Sequence, residues 1–275
     1  MPAFNVVYCA KVALNGFMES GMLDRTLLES SLLESTMLES GLDFIQDNAL
    51  NIVALLYFVG CFRGYLYYTS VRAVDTPSLA FAMHRFRTQW IRMALTRENR
   101  IADTNIVANL ERNVSFFASS TLLLLAGLVT LLSSSDAVLG MLAHVPFSDQ
   151  STRGEWEVKV LLLVTLFVYG FFKFTWSLRQ YGLVSVMIGG APENSLHPTA
   201  DEMARHVDSI SRMSSKASGN FNNGLRSYYF AMAALGWFIN GWVLMFLSTL
   251  IVFILYRREF KSDTLRIMMD DLPEA

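Results

Sequence analysis

Between Tyr228 and Tyr256 the chain runs for 29 consecutive residues without a charged side chain. Coiled as a helix at about 1.5 Å per residue, this run is on the order of 43 Å long, enough to cross a bilayer with its headgroups. A buried helix of a soluble protein rarely stays uncharged for so long, because part of its surface meets water. Tyr228, Tyr229 and Tyr256 bracket the run as interfacial anchors. Three other stretches reach the roughly 20 residues that a hydrocarbon core requires. The first runs from about Leu50 to Tyr68 and holds one charge inside it, Arg63. The second, Val114 to Leu132, has none, and the third starts near Val158 and continues through Phe172 to meet Lys173 and Arg179. The expected fold is all-α: an integral membrane bundle of four transmembrane helices.

Composition agrees with lipid as the solvent. Hydrophobic residues make up 53% of the chain and charged residues 17%, against about 25% charged in an ordinary soluble domain. A formal charge of −2 excludes a strongly basic nucleic-acid binder. Cys9 and Cys61 stand in unrelated segments and make no disulfide framework. Lys11 follows the first apolar stretch where a cleaved signal peptide would have a cation before it, so the first span is expected to act as its own insertion signal.

Orientation follows from lysine and arginine near the spans. Arg72, Arg85, Arg87, Arg92, Arg97, Arg100 and Arg112 lie between the first two spans, and Lys173, Arg179, Arg205, Arg212, Lys216 and Arg226 between the last two. This excess places both long connecting segments in the cytoplasm and, with four spans, both termini outside. The tail Tyr256 to Arg266 opposes that arrangement, since Arg257, Arg258, Lys261 and Arg266 would then sit on the outer side.

The connecting segments carry helical patterns of their own. Leu79, Met83, Phe86, Trp90 and Met93 are spaced four, three, four and three, with Arg85, Arg87 and Arg92 off that stripe. This pattern suits an amphipathic helix on the membrane surface or in a groove of the protein. A second one follows Pro198: Thr199 and Glu202 have capping-box spacing, and Met203, Val207, Ile210 and Met213 form an apolar stripe. Gly189, Gly190, Ala191 and Pro192 before it read as a turn. Both helices are expected on the cytoplasmic side.

Phe17 to Gly41 contains five tandem pentads, FMESG, MLDRT, LLESS, LLEST and MLESG. Five residues advance a helix by about 500°, so the Leu pairs scatter around its axis and make no single stripe. The segment is read as helical or irregular, lying against the protein or a neighbour. A β-solenoid fragment or local disorder is the alternative. The domain boundaries that follow are 1–43 for an N-terminal extension, 44–266 for the four-span domain and 267–275 for the tail.

Reactive chemistry has little support. His84, His144, His197 and His206 share no metal-ligand spacing, and no phosphate-binding loop, dinucleotide fingerprint or nucleophile elbow occurs. No catalytic residue, metal or cofactor is expected. What remains is a set of polar residues at or near membrane depth. Arg63 lies in the first span, and Asn105, Asn109 and Asn113 form a stripe leading into the second, with Glu111 nearby. Lys173 lies on the third, Asn220, Asn223 and Arg226 precede the fourth, and Asn240 sits inside it. Asp103 and Glu111 are the nearest acidic partners for Arg63 or Lys173. One reading has the cations snorkelling to headgroups and the asparagines, Asn240 among them, bonding across helices. The sharper reading is a polar vestibule, open to the cytoplasm, that binds a solute, a lipid headgroup or a partner. Gly60 and Gly64 make a GxxxG that permits close helix packing.

Glu98 to Leu128, ENRIADTNIVANLERNVSFFASSTLLLLAGL, and Phe221 to Met245, FNNGLRSYYFAMAALGWFINGWVLM, which runs on to LYRREF, resemble the domain of unknown function 599 family of bacteria and plants. MHRFRTQW at Met83 to Trp90 is similar too, and the resemblance extends from about Leu50 to Arg266. It implies a four-span membrane protein and brings no activity or catalytic residue. The first 41 residues look like an addition to the family pattern.

These features lead to the expectation of a non-enzymatic, multi-pass inner-membrane protein. It would serve as a structural or accessory component in contact with membrane lipids, as a homo-oligomer or with other membrane subunits, without nucleic acid. A small transporter or channel with a cytoplasm-facing polar vestibule is the alternative.

Overall fold

The computed structural model describes residues 48–72, 77–134, 152–192 and 199–271. The pentad repeats therefore lie outside the described residues. The chain divides at Val53. Of the unit before that point, residues 48–53 are described, and α1 starts there at Ala49. All packing below concerns the unit from Ala54 onward.

The elements are α1 (Ala49–Arg72), α2 (Leu79–Thr96), α3 (Ile101–Ser133), α4 (Arg153–Gly189), α5 (Ala200–Leu235), a 3-10 turn (Gly236–Phe238), α6 (Gly241–Phe260) and α7 (Asp263–Asp270). Among the described residues every regular element is helical. Three helices, α1, α3 and α4, are long and apolar enough to cross a membrane by length and composition. Side chains supply the caps. Ser78, Thr152, Thr199, Asn240 and Ser262 each accept a bond from a backbone N–H three residues on. Thr152 with Glu155 and Thr199 with Glu202 complete capping boxes, the second as the spacing predicts.

The fourth apolar stretch does not form one helix. Tyr228 to Leu235 end α5, the 3-10 turn follows, and Asn240 in extended geometry (φ −165°, ψ 170°) opens α6. The second amphipathic pattern is likewise no separate helix but the first half of α5. Hydropathy reads how apolar a segment is, and cannot see a backbone break whose polar groups are satisfied locally.

α5 runs antiparallel to α4 along nearly the whole of both. Val184 and Ile188 share a core with Val207 and Ile210. The Ser177 hydroxyl donates to the Ala217 carbonyl at 2.7 Å, and Gly170 faces Ser227. At the far end Trp156 meets Phe238 edge-on at 5.0 Å. Backbone approach is close where glycine removes a side chain: a Cβ on Gly224 would stand 2.4 Å from a ring carbon of Phe174. α6 turns back along α5, so that Glu259 reaches Arg226 at 3.6 Å and Arg258 donates to Tyr229 at 2.8 Å. α1 runs alongside α6. Tyr57 bonds Thr249 at 2.8 Å, and Tyr68 packs on Phe260 at 5.7 Å near the far end of both helices.

Two cores result. One joins α1, the first half of α4, the second half of α5 and α6 through Phe58, Val160, Phe230, Trp237 and Leu244. The other joins α2, α3, the second half of α4 and the first half of α5 through Ile91, Leu95, Val107, Phe174, Val184 and Ile210. The outer faces of the helices are apolar: Leu123 is 77% exposed, and Leu56, Phe116, Trp242, Phe246 and Phe253 are also exposed. Such a surface calls for lipid or a protein partner.

α2 packs on α5, the groove alternative of the two environments its pattern suits. Its buried face is Ala82, Ile91, Ala94 and Leu95, while Met93 of the expected stripe is exposed. Alanines permit close approach, and His84 and Arg87 find Ser215 and Ser218 on α5 at 2.9 and 2.8 Å. Burial lowers the pKa of the Arg87 guanidinium below its usual value.

Candidate functional site

The polar residues separate into three groups. The first surrounds Tyr169 on α4. Lys173, one turn further on, lies 5.6 Å from the centre of the Tyr169 ring. Phe62 of α1 meets the same ring edge-on at 5.6 Å, and Arg63 beside it in the chain is exposed. Lys173 donates to Asn220 Oδ1 at 3.3 Å, and Asn220 Nδ2 donates to Gln180 Oε1 at 2.8 Å. Arg226 donates to Asn223 at 2.8 Å and to Thr69 at 3.1 Å, and its guanidinium lies 5.3 Å from the Tyr65 ring centre. Of the predicted residues the fold therefore brings together Lys173 with Asn220 and Asn223 with Arg226, while Arg63 is exposed on α1.

The second group is the stripe on α3. Asn105, Asn109 and Asn113 are exposed, and Asn109 accepts from Arg112 on its own helix. Glu111 is partly buried beside Gly182 of α4. These residues do not join the cluster around Tyr169.

Asn240 stands alone. Its side chain accepts from the Val243 N–H at 2.8 Å, which makes it the N-cap of α6. The expected bond across helices is not what it makes. An extended residue just before a helix leaves orphan N–H groups, and in apolar surroundings the adjacent amide oxygen is the nearest acceptor.

The expected acidic partners also differ. Asp103, fully buried, accepts from Arg97 and from Trp90 Nε1, both at 2.8 Å. Its other carboxylate oxygen has no bond within the described residues. The carboxylate that does reach the cation cluster is Glu259, which pairs with Arg226 and accepts from the Ala80 N–H at 3.3 Å. It lies 33 residues beyond Arg226, a separation that no local spacing rule links.

Two further residues lie outside the predicted set. Arg100 donates to the carbonyls of Ile188, Ala191 and Pro192 at 2.9 to 3.0 Å and to Leu95 at 3.3 Å. It thus closes the C-terminal end of α4 with a guanidinium fork. Lys159 lies inside the apolar third stretch and is 3% exposed.

The geometry makes a polar cluster along the α4–α5 seam, in which Lys173 meets Asn220 and Arg226 meets Asn223, Thr69 and Glu259.

No curated protein and no solved structure matches the chain. A family model does, described as "Protein of unknown function, DUF599", over residues 53–264. That match spans most of the chain and takes in every element from α1 to the start of α7, so the chain belongs to the DUF599 family.

Proposed function

We propose that this protein is a non-enzymatic, multi-pass membrane component that crosses the bilayer five times and serves a structural or accessory role. The observation that carries the crossing number is the register of α5 against α4, with Trp156 on Phe238 at one end and Val184 near Val207 beyond the other side. If α4 crosses, the second half of α5 crosses beside it, and α6 returns. The second half of α5 buries Ser227, Ala231, Ala233 and Ala234 against its neighbours and turns Met232 and Leu235 outward.

Five crossings remove the conflict in the charge pattern. Arg257, Arg258, Lys261 and Arg266 then share a side with α2 and the first half of α5, in accord with positive-inside orientation. The cytoplasmic side would hold the C-terminus, and the start of α1 would face the other side of an inner membrane.

The accessory role is supported by how the polar residues are used. Asn240 caps a helix, Asp103 and Arg100 tie helix ends, and Asn220 links α4 to α5. A conduction path needs Asn109, Lys173 and Asn240 along one passage. Asn109 is exposed on α3 with Arg112, and Asn240 is engaged at the α6 start.

Single cysteines at Met93, Ser134 and Lys261, in a chain with Cys9 and Cys61 changed to Ser, test the crossing number. An impermeant maleimide applied to intact cells should label Ser134→Cys and spare the other two until the membrane is opened. Labelling of Lys261→Cys together with Ser134→Cys would restore four crossings. For the role, gentle extraction should yield a particle well above 31.0 kDa once detergent is subtracted. A monodisperse monomer would count against it.

A further inference from the structure

We propose that the groove between α1 and α6 is a binding site for one acyl chain of a membrane phospholipid, whose headgroup lies at the groove's cytoplasmic end. The site rests on α6 crossing the bilayer beside α1, as proposed above, and goes beyond the accessory role. The groove has a volume of about 490 Å³ and is lined by Gly60, Gly64 and Tyr68 of α1 and by Val252, Phe253 and Tyr256 of α6. It exists because Gly60 and Gly64 carry no side chain: a Cβ at either would have nothing within 4 Å. The two helices touch at both ends of the gap. Tyr57 bonds Thr249 at 2.8 Å at the inner end, and the Tyr68 and Tyr256 ring centres lie 6.3 Å apart at the other, where Tyr68 also meets Phe260.

Its lining and dimensions select an acyl chain. The Thr249 hydroxyl is engaged by Tyr57 and by the Met245 carbonyl, and most of the remaining wall is glycine, valine and ring surface. Ordered water needs two or more polar partners and is not held by such a wall. From Gly60 to Tyr68 α1 rises about 12 Å, close to the roughly 15 Å of hydrocarbon in one leaflet. A volume of about 490 Å³ over that length is a cross-section of about 40 Å². A helix about 10 Å across needs roughly 80 Å², so a helix of a second copy would bridge the gap without filling it. Tyr68 and Tyr256 stand at the headgroup level of such a chain. Arg257, next to Tyr256, and Lys261, one turn on, are exposed cations that favour an anionic headgroup there.

The test uses the full chain in mild detergent, with native mass spectrometry against palmitoyl-oleoyl phosphatidylglycerol and dihexanoyl phosphatidylglycerol, which share a headgroup. The long-chain lipid should stay bound where the short-chain lipid is lost. Gly60→Leu with Gly64→Leu fills the groove and should lower that retention by at least about tenfold. Gly127→Leu adds the same side chain at a glycine of α3 that is also open around its Cβ, and should leave retention unchanged. A second measurement leaves the groove unfilled. Cys61 lines it, and in a Cys9→Ser chain N-ethylmaleimide should modify Cys61 about tenfold more slowly with the long-chain lipid than with the short-chain one. Equal retention of the two lipids, equal retention by the wild type and the double variant, or equal modification rates would overturn the proposal. So would a wild-type particle of two or more chains that the double variant reduces to one while bound lipid stays the same, since the groove would then hold a second copy. The crossing of α6 is read by the Lys261→Cys labelling above, so failure of that crossing and failure of this site are told apart.

Discussion

Replacing Gly224 by alanine gives a direct measure of how closely α4 and α5 pack. The new methyl would meet three ring atoms of Phe174 at 2.4, 2.7 and 2.8 Å, well inside van der Waals contact. Phe174 is fully buried and caged by Phe117, Phe221 and Tyr228 at ring separations of 5.6 to 5.8 Å, so the ring has nowhere to move. Overpacking of this kind costs about 1–3 kcal/mol. Alanine also favours a helix over glycine by about 0.8–1 kcal/mol, which masks part of the cost. Gly219→Ala, on the same helix with open space around its Cβ, carries the propensity gain without the clash. The difference between the two variants is therefore the clash itself, about 1–3 kcal/mol. At about 2–4 °C per kcal/mol for a unit of this size, Gly224→Ala should melt roughly 2–12 °C below Gly219→Ala. Thermal unfolding in detergent, followed by tryptophan fluorescence, reads this directly. Phe174→Leu added to Gly224→Ala should recover part of the loss. Equal melting temperatures for the two glycine variants would refute the close α4–α5 register, and the five-crossing argument would fall with it.

Asn240→Leu should destabilise by about 1–3 kcal/mol, because the Val243 N–H loses its acceptor in apolar surroundings; Asn240→Asp should retain most of the stability, and an equal loss for both in thermal unfolding would contradict the cap. Arg100→Lys should lower the melting temperature although charge is kept, since an ammonium cannot serve the carbonyls of Leu95, Ile188, Ala191 and Pro192 together. Hydrogen exchange near Ile188 is expected to rise with it. The capping box at α5 predicts a pH effect. Bonds from Thr199 hold the Glu202 pKa below its usual value, so its stabilisation is complete above the ordinary carboxylate range and fades as pH falls through the lowered pKa. Exchange protection at the first turn of α5 should drop in that acid window, and Glu202→Gln should abolish the drop.

Much of the architecture is written locally. Apolar runs announced α1, α3 and α4, because a span has to be apolar along its own length whatever it packs against. The Thr199 and Glu202 pair announced the start of α5, because a capping box is a contact between residues three apart. The candidate site was legible only in part. Arg63, Lys173, Asn220, Asn223 and Arg226 stood out as polar groups near membrane depth, but so did Asn105, Asn109 and Asn113, which the fold leaves on the outside of α3. Which side of a helix turns inward is not a property of that helix alone.

The amino-acid sequence by itself determined that the chain is helical, that lipid suits its apolar faces, and that few charges lie in its spanning segments. Tertiary structure decided the rest. It divided the longest apolar run at Asn240, since an amide oxygen one turn from an N–H replaces the helical bond that would otherwise be required. It buried Ser227, Ala231, Ala233 and Ala234 of α5 against neighbouring helices. It also brought Glu259 to Arg226 and Lys173 to Asn220 across separate helices. Hydrophobicity is additive along a chain and can be read from it; the meeting of charges depends on register between helices, which exists only once they pack.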